Sequence, residues 1–480
     1  MTSTTGARPG VWAQLKPLVL RLHFYAGVLV APFILVAAVT GLVYTAAPQI
    51  ERAVYADELT VEPRGAQLPL SEQFAVAREA HPDGSLVEIR PPATPDSSTR
   101  VVFTDADVPE NSSRAVMVDP YTGEVLGQER QYGQWLGVRA WLNELHSNLH
   151  LGTVGRYYSE LAASWLWVVV LGGLALWFTK RRTDRRARRL LLPEQAATGR
   201  RRTLSWHATL GVWLAVGALF LSATGLTWSR FAGEHVAEVR TALSWTGTTL
   251  TTSLDGDDAG SSGHGGHGSH GGHGASGAGT SDDVVSRGVG VDGVLAAARA
   301  SGLQDPLLLT APVDDASAWT VAEKKRSAPT RLDSVAVDPR DGSVVDEIRF
   351  ADEPIAAKLT RWTIDAHVGV LFGLLNQLVL AAVALGLIAV TLLGYRSWWQ
   401  RRPTRGTARV GRAPARGTWR RLSPGVLVGV ALVTLGVGWF VPLLGVSLAV
   451  FLLLDLVLAA RARRSAADEP DRPREDLPVG

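Results

Sequence analysis

Residues 18–47 of the chain read LVLRLHFYAGVLVAPFILVAAVTGLVYTAA, and residues 207–228 read HATLGVWLAVGALFLSATGLTW. Both stretches are almost entirely apolar, and each is long enough for a helix that crosses a hydrocarbon core of about 30 Å. Their shared positions lie at identical intervals: His23, Gly27, Thr40, Gly41 and Leu42 in the first stretch, and His207, Gly211, Thr224, Gly225 and Leu226 in the second. This self-similarity predicts that one membrane span occurs twice.

A second pair of apolar runs also matches. Residues 161–178 and 367–394 are long enough to span a membrane. The shared positions are Trp141, His146, Gly173 and Trp177 in one copy, and Trp362, His367, Gly394 and Trp398 in the other. A last apolar stretch, residues 425–460, is too long for one helix and is interrupted at residues 439–442, so it predicts a hairpin of two short spans. Six spans are therefore predicted.

The two long segments between the spans, residues 48–156 and 230–361, have mixed composition with short alternating runs typical of strands. Both contain the same turn, VDPYTGEV at residues 118–125 and VDPRDGSV at residues 337–344. Proline presets φ and glycine accepts a positive φ, which favours a turn at these positions. We predict a mainly α, polytopic membrane helix bundle of six spans, four of them in a tandem parallel repeat, with two small α+β extracytoplasmic modules.

The basic residues predict the orientation. Residues 180–206 and 396–424 are rich in arginine, which the positive-inside rule assigns to the cytoplasm, so both termini are cytoplasmic and both modules face outward. These loops account for the net charge of +3, and no nucleic-acid partner is inferred. We expect a multi-pass protein of the cell (cytoplasmic) membrane, surrounded by lipid. The predicted segments are a first span at 18–47, an outer module and interfacial segment at 48–156, a second span at 157–179, a basic loop at 180–206, a third span at 207–229, a second outer module at 230–361, a fourth span at 362–395, a basic loop at 396–424, the hairpin at 425–460 and a tail at 461–480.

Four of the eleven histidines occupy matched positions, His23 with His207 and His146 with His367. Ionisable groups at membrane depth normally face a bundle interior and a partner. Two imidazoles on facing helices, one from each copy, are the ligands that a six-coordinate haem needs. We therefore predict two b-type haems, one for each membrane face. The alternative for each histidine is an interfacial position at a helix end, where the ring reaches water.

The predicted haem ligand His146 has another histidine close to it in the sequence. His150 lies one helical turn beyond it and is a further candidate ligand, although its counterpart in the other copy is a leucine. A straight helix from His146 to the inner arginines would be about 50 Å long, which exceeds the membrane thickness. We expect a break near Gly152 and Gly155, with residues 135–151 on an interfacial segment.

The absence of cysteine from the sequence narrows the chemistry. It excludes covalent c-type haem attachment, cysteine-ligated iron–sulfur clusters, catalytic thiols and disulfides, whereas histidine-ligated haem remains compatible. The predicted cytoplasmic segments contain no dinucleotide fingerprint and are too short for such a domain. An electron donor would have to be a membrane quinol or another protein, such as a cytoplasmic reductase.

These motifs resemble one known family. The doubled His-x3-Gly spans ending in Thr-Gly-Leu, the His…Gly…Trp spans and the Val-Asp-Pro-x2-Gly-x-Val turns are similar to the PepSY-associated transmembrane family, with a PepSY-like module in each outer segment. The likeness covers roughly residues 10–402, and the hairpin is an addition to it. Members of that family include inner-membrane reductases of iron–siderophore complexes that carry b-type haem on histidines, and iron-regulated membrane proteins of unassigned role.

The resemblance implies haem b at the four matched histidines. It implies a transmembrane electron-transfer protein, an oxidoreductase that reduces an extracytoplasmic ferric siderophore or another metal chelate. The family is functionally mixed, so iron handling follows from the likeness alone.

One segment departs from the family pattern. Residues 255–283 are rich in Gly, Ser and Asp, a composition that cannot bury a core and predicts disorder. Its histidines recur at intervals of three: His264, His267, His270 and His273. Such imidazoles are suited to capturing copper, zinc or nickel, although the segment is also explained as a flexible linker with incidental histidines. A second hypothesis therefore stands, in which the protein is a non-enzymatic metal-binding or regulatory accessory.

Overall fold

The computed structural model describes residues 10–108, 112–183, 191–254, 285, 287–401 and 422–467. It consists of an apolar helix bundle and a separate antiparallel sheet. The helices are α1 (Val11–Leu29), α2 (Ala31–Tyr44), α3 (Ala47–Val54), α4 (Ala56–Leu59), α5 (Leu70–Ala80), α6 (Gly137–Asn148), α7 (Gly152–Thr183), α8 (Gly199–Leu226), α9 (Phe231–Ala242), α10 (Gly290–Ala300), α11 (Ile355–His367), α12 (Gly373–Trp399), α13 (Pro424–Phe440) and α14 (Pro442–Ala467). The strands are β1 (Leu86–Arg90), β2 (Thr99–Phe103), β3 (Ser112–Val118), β4 (Val125–Tyr132), β5 (Trp135–Leu136), β6 (Leu307–Thr310), β7 (Trp319–Glu323), β8 (Ser334–Val337) and β9 (Val344–Ile348).

Four of the described helices are long and apolar enough to cross a membrane, namely α7, α8, α12 and α14. Helices α1 and α2 together make a fifth candidate span, bent by 57°. Helix α13 is apolar but has only 17 residues. By length and composition the described residues thus contain four or five candidate spans, and a sixth span at α13 stays a prediction because that apolar helix has one residue fewer than the 18 required of a candidate.

The bend between α1 and α2 has a local cause. Pro32 begins α2 and has no N–H to donate to the carbonyl of Val28, so the helical ladder is interrupted. The hydroxyl of Tyr395 on α12 donates to that carbonyl instead, at 2.9 Å. In the second copy the matched position is Val216, and α8 runs through it without a break.

Small residues let the helices of the bundle approach one another. Ala38 of α2, Ala218 of α8 and Leu387 of α12 are buried together at the centre. Helix α8 packs between α7 and α12, and α2 packs on α12. The hairpin of α13 and α14 breaks at Val441, inside the predicted interval, and Trp165 of α7 donates to the Ser447 hydroxyl at 2.8 Å.

The strands form one nine-stranded antiparallel sheet in the order β5-β4-β3-β2-β1-β6-β7-β8-β9. The two outer segments, predicted as separate modules, are joined where β1 pairs with β6, with Glu88 opposite Thr310 and Ile89 opposite Leu309. Each of these strands would otherwise be an edge with unpaired backbone groups, and the pairing removes both edges. Helices α5 and α10 cover one face of the sheet over a shared apolar core.

The two matched turns link equivalent strands, β3 to β4 and β8 to β9. Gly123 and Gly342 have φ values of 72° and 77°, and each N–H donates back to the carbonyl of the turn aspartate at 2.9 Å. The turn prediction is confirmed in both copies, because both glycines adopt the left-handed backbone that side chains disfavour.

Two short amphipathic helices, α6 and α11, precede the spans α7 and α12. The chain turns between α6 and α7 through Leu149, His150 and Gly152, whose φ values are 55°, 56° and 55°, which confirms the predicted break near Gly152. The predicted fourth span began at His367, but α11 ends at that residue and α12 begins at Gly373. The reason is a turn with left-handed glycines, Gly369 at φ 80° and Gly373 at φ 56°.

Candidate paired-histidine site

The bundle brings the matched histidines together in two pairs. We call His23 and His207 the far-side pair, because they lie at the end of the bundle away from the sheet. Their ring centroids are 6.2 Å apart and their planes are inclined by 69°. Two metal–imidazole bonds of about 2 Å each, together with the ring radii, place the centroids of two axial imidazoles about 6 Å apart. The separation therefore fits one metal centre between the rings.

Backbone carbonyls determine which nitrogen of the far-side pair is free. His23 Nδ1 lies 2.9 Å from the carbonyl of Val169, and His207 Nδ1 lies 2.9 Å from the carbonyl of Val390. A carbonyl oxygen can only accept, so each Nδ1 carries the proton and donates. Each Nε2 then keeps its lone pair, which is the arrangement of a metal-ligating imidazole held by an outer hydrogen bond.

Glycines on the facing helices leave room for these rings. A Cβ atom on Gly173 would lie 3.1 Å from His23 Cε1, and one on Gly394 would lie 3.4 Å from His207 Cε1. These two glycines are matched in the sequence. The contact with the imidazole explains why neither copy carries a side chain there.

His146 and His367 form the sheet-side pair, at the opposite end of the bundle. His146 Nδ1 lies 3.0 Å from the hydroxyl of Thr40, and His367 Nδ1 lies 2.5 Å from the hydroxyl of Thr224. Both threonines belong to the matched Thr-Gly-Leu motifs. The pair therefore rests on equivalent hydrogen bonds in the two copies.

The threonine hydroxyls fix the tautomer of this pair. Thr40 donates its hydrogen to the carbonyl of Val36 at 2.9 Å, and Thr224 donates to the carbonyl of Phe220 at 2.7 Å. Each hydroxyl has one hydrogen and has used it, so it accepts from the histidine Nδ1–H. Nε2 is again the free nitrogen. Sequence reasoning recorded these threonines as repeat positions and missed this role.

A cavity of about 310 Å³ lies between His146 and His367. Gly41 belongs to its wall, and a Cβ there would lie 3.0 Å from His146 Cε1. The ring of Trp228 stands edge-on to His367, with centroids 4.7 Å apart. Burial lowers the pKa of His146 to about 4, and burial together with the neighbouring His146 lowers that of His367 to about 3, so both rings are neutral near pH 7.

The sequence pattern of the PepSY-associated TM region matches residues 20–401. The chain belongs to this family. The matched region includes both histidine pairs, their threonine and carbonyl partners, and the whole nine-stranded sheet, whereas α13 and α14 lie beyond it. No curated protein matches the sequence. Membership and the apolar helices together identify a multi-pass membrane protein.

The donor set of this PepSY-associated TM protein suits haem better than a bare ion. Each pair offers two imidazole nitrogens that make no hydrogen bond within the described part of the protein, on rings 6.2 Å apart in the far-side pair and on the wall of one cavity in the sheet-side pair. Within the described residues no group of three or more His, Cys, Asp or Glu side chains is placed to hold a metal ion. A metal held by only two protein ligands needs further donors, and a macrocycle supplies four of its own.

His150 is placed apart from the sheet-side pair. Helix α6 ends at Asn148, so His150 does not lie one helical turn beyond His146, as the sequence suggested. Its Nδ1 lies 3.1 Å from Glu144, and its ring packs on Trp141 with centroids 4.8 Å apart. The candidate metal ligands His264, His267, His270 and His273 lie outside the described residues.

Proposed function

We propose that this PepSY-associated TM protein binds two b-type haems, one on each histidine pair, and transfers electrons across the membrane. The observation that carries the proposal is shared by all four histidines: Nδ1 donates to a backbone carbonyl or a threonine hydroxyl, which leaves Nε2 as the nitrogen with a free lone pair. Interfacial histidines would have no reason to share one tautomer across two copies. The haem supplies the one-electron chemistry, and the protein supplies position and electrostatics.

The residues of the chain hold and insulate the two centres. The carbonyls of Val169 and Val390 orient the far-side rings, and the hydroxyls of Thr40 and Thr224 orient the sheet-side rings. On α8 the two levels are separated by 17 residues, about 25 Å of helix. The apolar centre around Ala218 lies between them and excludes water.

The proposed direction follows from the positive-inside rule. Helices α7 and α12 run from the sheet-side end to the far-side end, and each leads into an arginine-rich part of the sequence, residues 180–206 and 396–424. We therefore assign the far-side end and both termini to the cytoplasm. The sheet-side pair and the sheet then face the outside of the cell membrane. Electrons would enter from a membrane quinol or a protein donor and leave to an extracytoplasmic ferric chelate.

The test is a spectrum of the full-length protein, purified from cells with adequate haem supply. Haem ligated by two imidazoles should give a Soret band that shifts on dithionite reduction, with sharp visible bands. Protein in vesicles should then reduce a membrane-impermeant ferric chelate added outside. A colourless protein would rule out the proposal and favour the accessory hypothesis. Reoxidation of the haem only by acceptors on the cytoplasmic face would show that electrons flow in the opposite direction.

A further inference from the structure

A second, larger cavity separates the uncovered face of the sheet from α6 and α11. Its volume is about 1350 Å³, and residues from β1, β2, α6 and the loop after β7 line it. Nine arginine and lysine side chains lie in its wall, compared with three carboxylates. The cavity is therefore strongly basic, whereas an ordinary apolar ligand pocket carries only a few charges.

Part of this charge is balanced by neighbouring carboxylates. Arg326 and Arg361 share the fully buried Asp365, at 2.6 Å and 2.9 Å. Arg90 pairs with Glu88 at 2.5 Å. Two cations thus rely on one carboxylate, which leaves this side of the cavity with an excess of positive charge.

Arg100 and Lys324 have no carboxylate within ion-pair distance among the described residues. Arg100 donates only to the amide oxygen of Gln131, at 3.4 Å. Burial lowers the pKa of Arg100 to about 10 and that of Lys324 to about 8. Both side chains are half-buried, so an unpaired charge there costs free energy of solvation, and an anionic ligand would offset that cost at both residues.

The basic cavity adjoins the cavity of the sheet-side pair. Tyr132, Trp135 and Asn143 line both. Trp135 is enclosed by two cations, with Arg139 3.6 Å and Arg326 5.5 Å from its ring centroid. Both arginines line the cavity, and among the described residues Nη2 of Arg139 and Nη1 of Arg326 are buried without a hydrogen-bond partner, although Nη1 of Arg139 lies 3.6 Å from Glu51.

We infer that the basic cavity binds a small polyanionic ferric chelate, one with several carboxylate or catecholate oxygens. The inference rests on the proposed function and names its substrate class. Guanidinium groups recognise such oxygens. A chelate in this cavity would be separated from the cavity of the sheet-side histidines by Trp135, which lines both. Each Fe(III) accepts one electron and becomes Fe(II). A one-electron protein donor would reduce one chelate, whereas a quinol would reduce two in succession, becoming a quinone and releasing two protons.

Binding is measured with gallium(III) citrate, a redox-inert substitute for the ferric chelate, by calorimetry on the full-length protein in neutral-lipid nanodiscs. Lys324→Gln and Arg100→Gln should each weaken binding about tenfold, as expected for a lost charge-assisted contact. Lys358→Gln removes a cation outside the cavity and should leave affinity unchanged. Lys324→Arg keeps the charge and should retain binding.

Three outcomes would overturn the inference. Uncharged gallium tris-acetohydroxamate binding as tightly as the citrate complex would show that charge is not recognised. Equal weakening by the Lys358→Gln control would show a general field rather than a site. Displacement of gallium citrate by anionic phosphatidylglycerol, lost in Lys324→Gln, would identify a lipid headgroup as the occupant.

The haem spectrum is recorded for every variant, because it separates this inference from the proposed function. Red protein that fails to bind gallium citrate would refute the basic cavity as the substrate site and leave the electron-transfer proposal intact. Colourless protein that binds gallium citrate with the expected pattern would refute electron transfer and retain the anion site.

Discussion

At the scale of single residues, the outer hydrogen bond of each histidine decides what its ring can do. Thr40→Val and Thr224→Val preserve shape but remove the acceptor, so the Nδ1–H of the sheet-side ring is left unpaired. We expect each change to weaken haem retention at the sheet-side pair about 10- to 100-fold, the usual effect of losing such a partner. Thr241→Val is the control, because its hydroxyl donates only to the carbonyl of Ala237. Haem content and reduction potential are the readouts, and unchanged values would contradict the tautomer argument.

The pairing itself makes a second prediction at this scale. His23→Ala and His207→Ala should each remove the same haem, because one axial ligand is lost, and the double variant should be no worse. His146→Ala and His367→Ala should converge on the other haem, whereas one change from each pair should remove nearly all haem. His150→Ala should be milder. Haem per protein is measured by pyridine haemochromogen, and four equal, additive losses would refute the pairing.

The lowered pKa of Lys324 predicts how the affinity for the chelate depends on pH. Burial lowers its pKa to about 8; Glu88 acts in the opposite direction, while Arg90, Arg361 and Arg326 lower it further. The side chain is charged below that pH and neutral above it, so affinity for gallium citrate should fall as the pH rises from about 7 to about 9. A bound anion should raise the Lys324 pKa by the same linkage. Calorimetry across this range should show a flatter profile in Lys324→Gln, and an identical profile would exclude Lys324 as the titrating group.

At the scale of elements, matched stretches of the sequence form helices that are continuous in one copy and broken in the other. Pro32 divides the first span into α1 and α2, whereas α8 is one helix. The short helices α6 and α11 present the sheet-side histidines from beside the spans rather than within them. The matched histidines therefore reach equivalent positions although the helices that carry them differ.

The histidine-rich segment is an element without a counterpart in the first copy, so we predict that its role is separable. Deleting residues 255–283 should lower bound copper, zinc or nickel and leave the haem spectrum unchanged. A length-matched control replaces its four regularly spaced histidines with serine and should lose the same metal. Metal content by mass spectrometry checks this, and loss of haem on deletion would disprove the separation.

At the scale of the whole molecule, a side-chain contact adds to the β1–β6 pairing that joins the two outer modules. Asp292 of α10 accepts from the backbone N–H groups of Leu70 and Ser71, at 2.6 Å and 3.3 Å, and so caps α5 from the other module. Asp292→Ala should cost about 1 kcal/mol, the usual effect of losing a helix cap. Amides of α5 should then exchange with deuterium about fivefold faster.

The matched residue in α5 supplies the control for this prediction. Glu72→Ala changes the equivalent position of the other copy, where the described residues show no bond across the modules, and exchange in α10 should stay unchanged. Equal acceleration in both variants would mean that Asp292 acts through general charge and not as a cap.

The sequence alone was sufficient for the features that depend on local pattern. Residues that are adjacent in the sequence are enough to predict the apolar helices α7, α8 and α12. The same holds for the break at Val441 and for the turns at Gly123 and Gly342. The matched intervals identified the four histidines as candidate ligands, because such intervals can be read from the sequence without knowing which residues are in contact. The count of six spans stays a prediction, because it depends on α13, whose 17 apolar residues lie at the lower end of the length of a membrane-spanning helix.

Only the tertiary structure decided which distant groups meet. Thr40 and His146 are 106 residues apart, and nothing local marks that hydrogen bond. The pairing of β1 with β6, which joins two predicted modules into one sheet, depends on edges whose partners have no sequence signature. The basic cavity arises because strands and helices from both copies converge around Trp135. Charge concentrated by folding is a property of the assembled surface, whereas the charges along the chain are nearly balanced.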